Sequence, residues 1–123
     1  MRTALGKVRG LGSAKSGVHH WWAQRLTAIA LLPLMVWFVA SMVSLVGADH
    51  RTVVEWIANP LTSALLVALV LAVFYHLRLG LQVVIEDYLH GGTRMVLLVF
   101  VNFASILLGL MAIIAVLKIA FGS

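Results

Sequence analysis

The sequence predicts an all-α membrane protein of three transmembrane helices, with its N-terminus in the cytoplasm and its C-terminus on the opposite side. Three observations lead there. Hydrophobic residues fill 63% of the 123 positions and charged residues only 11%, whereas a soluble domain carries roughly 45–50% apolar and about 25% charged residues. Three apolar runs each approach or exceed the roughly 20 residues that cross a bilayer core as helix. The basic residues are also unevenly spread. Arg2, Lys7, Arg9, Lys15 and Arg25 precede the first run and Arg94 follows the second, against Arg51 and Lys118 on the other side. By the positive-inside bias, the richer side is cytoplasmic (or a mitochondrial matrix).

Residues 1–123 form one membrane domain at most. Residues 1–25 read as a basic N-terminal segment, whose first 18 positions are polar, rich in Gly and Ser, and expected to be mobile. The first span runs from about Leu26 to Val46 and holds Pro33, which a membrane helix tolerates when neighbours satisfy the freed carbonyl. It is too long for a signal peptide and no cleavage site of small residues follows it, so it reads as a mature span. In the first loop, Trp56 predicts an interfacial turn of helix. Asn59-Pro60 then starts the second helix, with Asn as cap and Pro at the first position. This second span covers about 61–89 and is expected to stop at Gly91-Gly92. The third covers about Met95 to Lys118, with Ser105, Gly109 and Ala112 sharing one face as a thin packing seam.

The net charge of +5 and pI near 10.5 do not point to nucleic acid. The basic residues form no helical stripe, and the hydrophobicity requires lipid or protein partners. There is no cysteine. This excludes thiolate nucleophiles and any iron–sulfur cluster held by cysteines of this chain.

The chemistry concentrates in the segment from Phe74 to His90. His76, Gly80, Val83 and Asp87 are spaced by four, three and four, which places them on one helix face. His76 and Asp87 differ by about 20° around the axis and lie roughly 16 Å apart along it. His76 sits about 22 Å into a roughly 30 Å core, in its cytoplasmic half, and Asp87 and Tyr88 reach the cytoplasmic boundary. An intramembrane imidazole needs a partner. It can supply one axial bond to a haem, with Gly80 clearing space for a flat macrocycle; alternatively it bonds another helix. Asp87 and Tyr88 can relay or donate protons to a quinone, or simply end an amphipathic helix. Arg78 can be a functional charge, can snorkel, or can pair with Glu86. At the start of the first span, Trp21-Trp22 suits an interfacial belt. Arg25 there is either an anion-binding group or a positive-inside flank. Asn102 and Ser105 read as interhelical hydrogen-bond partners.

Two motifs carry a family resemblance over nearly the whole chain. One is Ser16-Gly17-Val18-His19 followed by Arg25-Leu26-Thr27-Ala28. The other is His76, Gly80 and Asp87-Tyr88 on the second of three helices. In these the chain resembles the D-type membrane-anchor subunit of succinate dehydrogenase, respiratory complex II. The resemblance implies a non-catalytic subunit of a quinone-reducing complex in a bacterial inner membrane, rather than a mitochondrial one. It implies a C-type anchor partner sharing haem b, with His76 as this chain's axial ligand to the haem iron. An iron–sulfur subunit and a flavoprotein subunit would hold the iron–sulfur clusters and FAD. Tyr88 matches a tyrosine that hydrogen-bonds ubiquinone and Asp87 its neighbouring acid, while His19 and Arg25 match positions near the haem propionates and the quinone pocket. The competing readings are a haem-binding anchor of another quinone-linked dehydrogenase such as fumarate reductase, and a small transporter. A transporter would place its charges at mid-membrane and show repeats, whereas the acids here lie at the boundary and no repeat is evident.

Overall fold

The computed structural model describes residues 14–122, with side chains from Val18 onward. Four helices follow one another: α1 (Ala14–Ser44), α2 (His50–Ala58), α3 (Pro60–Tyr88) and α4 (Gly91–Gly122). Three of them, α1, α3 and α4, are long and apolar enough to cross a membrane, as the sequence predicts.

The boundaries differ from expectation in instructive ways. The chain is already helical at Ala14, so residues 14–25 belong to the first helix rather than to a tail. The helix runs on through both Gly17 and Pro33. The expectation that the first 18 positions are mobile lies outside the described residues for positions 1–13, and positions 14–18 are helical instead. At the far end, α1 stops at Ser44 and a turn leads to Gly47, whose φ of 81° suits a residue without a side chain.

The interfacial turn expected at Trp56 is a nine-residue helix. Asp49 caps it, accepting from the Thr52 backbone N–H at 2.9 Å. Hydrogen bonds from Thr52 hold the Asp49 carboxyl below its ordinary pKa. Trp56 stacks on Trp37 of α1 at 5.8 Å, tying this loop helix to the first span. Asn59 caps α3 as expected: its side chain accepts from the backbone N–H groups of Leu61 and Thr62, and Pro60 takes the first helical position. Helix α3 ends at Tyr88, two residues before the glycine pair. Gly91-Gly92 instead begins α4, with Gly91 at φ 65°. The pair therefore sets the reversal between two helices, and α4 extends the third span at both ends.

Helix α3 is the middle layer. It packs against α1 on one side and α4 on the other. The buried apolar side chains Leu66, Leu69, Leu79 and Ile85 all lie on it. The predicted seam on α4 faces α3: Ser105 and Gly109 are buried, Ala112 is half-buried, and a Cβ on Gly109 would meet the Phe74 ring at 3.6 Å. By contrast, none of the described side chains of α1 is buried. Its outward apolar side chains have no cover among the described residues, an arrangement stable only against lipid or a partner subunit.

Candidate functional site

The two flanks of α3 do different work. Phe74 and Arg78 face α4. His76, Gly80 and Val83 lie on the opposite side, toward α1. The helical period puts positions two apart about 200° around the axis, so the alternation follows from sequence spacing alone.

On the α1 side, His76 is half-buried and its Nδ1 lies 2.9 Å from Thr27 Oγ1. The Thr27 hydroxyl also lies 2.8 Å from the Ala23 carbonyl oxygen and 3.0 Å from that of Gln24. With Nδ1 occupied by Thr27, Nε2 is the nitrogen left to meet a further group. One turn on, Gly80 approaches Gln24; a Cβ there would stand 3.9 Å from Gln24 Nε2. Beside Gly80 lies a cavity of 520 Å³ lined by His20, Trp21, Gln24, Arg25, Gly80 and Val83. Two buried polar atoms on its lining residues, His20 Nε2 and Gln24 Oε1, have no hydrogen-bond partner. Buried polar atoms are rarely left unpaired, and such atoms at a cavity call for a ligand, an ion or water. The Arg25 guanidinium lies 5.1 Å from the centre of the Trp21 ring and adds positive charge at the rim.

These features fit a flat prosthetic group with an anionic edge. His76 keeps one nitrogen with no hydrogen-bond partner among the described residues and Gly80 lies one turn on, while the cavity, which His76 does not itself line, brings the Arg25 cation and the orphaned His20 Nε2 together. Among the described residues no three His, Asp or Glu side chains gather as a metal-holding group. His76 would therefore be a lone ligand from this chain to any metal it met, and one histidine per chain is a donor set that haem can use.

The structure separates the other expected residues. Arg25 lines the cavity, but His19 is exposed and does not; its neighbour His20 does. Asp87 and Tyr88 lie at the end of α3, with Tyr88 78% exposed, and neither lines the cavity beside Gly80. Arg78 is not paired with Glu86. It donates from Nη1 to Asn102 Oδ1 on α4 at 3.3 Å and sits over the Tyr75 ring at 5.2 Å. Glu86 instead accepts from Gln82 Nε2 at 3.0 Å, because the residue one turn away on its own helix is within easy reach. Asn102 bonds across helices as expected. Thr27, Gln24 and His20 were not singled out by sequence reasoning, although Thr27 falls inside the first motif. Their heptad-like spacing along the face of α1 (20, 24, 27) was the available signal.

A central helix packed between two others, all three long and apolar enough to cross a membrane, defines a small polytopic membrane protein. Comparison with known proteins specifies it. The sequence profile of the succinate dehydrogenase/fumarate reductase transmembrane subunit matches residues 1–117, and the chain belongs to that family. It is 36% identical over 116 residues to a succinate dehydrogenase hydrophobic membrane anchor subunit of Rickettsia bellii, covering 94% of this chain and 93% of the relative. A similarly named subunit of Paracoccus denitrificans is 29% identical over 76% of this chain and 72% of its own length. A succinate dehydrogenase membrane anchor subunit of Reclinomonas americana is 30% identical over 70% of this chain and 74% of its own. No solved structure gives a significant match.

Proposed function

We propose that this chain is the hydrophobic anchor of a succinate:quinone oxidoreductase in a bacterial inner membrane, giving one axial ligand, His76, to a haem b and helping to bind ubiquinone. The observation that carries the reading is the α1-facing side of α3. There a half-buried imidazole with one engaged nitrogen stands one turn from Gly80, which lines the cavity holding Arg25 and His20. Family membership and the names of the relatives support it. They favour the succinate dehydrogenase role over the fumarate reductase one and give no support to a transporter.

His76 would hold the haem iron through Nε2, and Arg25, with His20, would receive its propionate edge. Bound there, haem supplies a one-electron store. The second axial ligand would come from a C-type anchor subunit packed on the uncovered apolar surface. An iron–sulfur subunit and a flavoprotein subunit with FAD would dock on the cytoplasmic face, which the basic N-terminal side marks. Tyr88 and Asp87 reach that same face, about 18 Å along the helix from His76. The Tyr88 hydroxyl would donate to a ubiquinone carbonyl as negative charge develops on it. Asp87 would support proton delivery as the quinone takes up two electrons and two protons. The high exposure of Tyr88 in the single chain suits a pocket closed by a partner.

The test is purification of the tagged chain from its native membrane in mild detergent. The expected result is a complex with flavin, iron–sulfur signals and a b-type haem absorbance, active in succinate-dependent quinone reduction. Recovery without flavin or haem from membranes with active succinate dehydrogenase would contradict the proposal.

A further inference from the structure

We infer that Thr27 is a positioning residue that fixes the tautomer of His76, accepting a hydrogen bond from Nδ1–H so that the Nε2 lone pair is held free for a metal. The inference rests on the haem reading above and deepens it. The Thr27 hydroxyl carries one proton and lies within 2.8 Å and 3.0 Å of two backbone carbonyl oxygens of its own helix. Carbonyl oxygens only accept. Once that proton is directed to Ala23 or Gln24, the Oγ1 lone pairs are what face His76 Nδ1 at 2.9 Å. The imidazole must then donate from Nδ1, which leaves Nε2 unprotonated.

The arrangement also sets the ring's orientation. Thr27 is on α1 and His76 on α3, so the contact fixes the imidazole with respect to both helices and to the cavity beside Gly80. A hydrogen bond at the non-ligating nitrogen raises the basicity of a histidine ligand and holds its ring plane. A more basic ligand favours ferric over ferrous iron. Thr27 therefore lowers the reduction potential of the haem, independently of any part it takes in helix packing.

The experiment compares Thr27→Val, Thr27→Ala and Thr27→Ser in the assembled complex, by redox titration and low-temperature electron paramagnetic resonance of the haem. Thr27→Val removes the acceptor at nearly constant volume. It is expected to raise the potential by about tenfold in the reduction equilibrium, or about 59 mV for one electron, and to shift the low-spin resonance. Thr27→Ser keeps the hydroxyl and is expected to stay near wild type. If the Val and Ala variants lose haem while Ser retains it, the hydroxyl is still shown to be required. An unchanged potential and spectrum in Thr27→Val overturns the inference, as does a Ser variant as strongly altered as Val or lacking haem. His76→Ala is measured alongside. Wild-type haem signals in that variant would remove the underlying haem reading, whereas loss of them together with an unaltered Thr27→Val removes only the role of Thr27.

Discussion

Arg78 on α3 donates to Asn102 on α4 across 3.3 Å, and its Nε is buried without a partner. A guanidinium within a span is tolerated only when its donors are met or its head reaches a wetter zone. Here the side chain gains one amide oxygen and the face of Tyr75. The Asn102 amide is itself fixed by donating to the Leu98 carbonyl at 2.7 Å, so its oxygen stays aimed at α3.

This contact predicts coupling between the two positions. Asn102→Leu should destabilise the complex by about 1–3 kcal/mol, because it strands a buried donor. Arg78→Leu combined with Asn102→Leu should cost less than the sum of the single changes, since the double variant leaves neither group unsatisfied. Thermal unfolding of the purified complex in one detergent measures all three. Simple additivity would show that the two side chains do not interact.

The position of Tyr88 at the end of α3 predicts a selective defect. Tyr88→Phe should impair quinone reduction while sparing succinate oxidation by an artificial acceptor. Losing a donor to the quinone carbonyl costs roughly 1–3 kcal/mol, or about 5- to 150-fold in rate. Equal loss of both activities would signal an assembly defect. Full quinone reductase activity with unchanged inhibitor sensitivity would remove Tyr88 from the site.

The topology is testable because the chain has no cysteine of its own. A membrane-impermeant thiol reagent should label Ser123→Cys only from the side opposite the cytoplasm. Labelling only from the cytoplasmic side would reverse the orientation expected from the basic residues.

Much of this architecture is legible in the sequence because it depends on local chemistry. Asn59-Pro60 marks the start of α3 through groups within three residues of one another. The spacing of His76, Gly80 and Val83 follows from the helical repeat. The start of α1 was less legible: charged and polar residues before Leu26 suggest a boundary, but they can be carried on a helix that emerges from the bilayer. The glycine pair marks the end of the second span correctly but not the start of the third, because a stop and a start are written in the same residue types. The partner of His76 was not legible at all. Thr27 is 49 positions away, and in an apolar run a threonine reads as a small packing residue until the helices are placed side by side. The fate of Arg78 was likewise decided by a neighbouring helix rather than by Glu86 on its own.

The most direct test of the account is the haem spectrum of the assembled complex with His76 replaced by a residue that cannot ligate, such as His76→Ala. Electron paramagnetic resonance and the reduced-minus-oxidised absorbance would be read on enzyme with wild-type flavin content. The account predicts loss of the low-spin bis-histidine signals. Unchanged low-spin bis-histidine signals would contradict it.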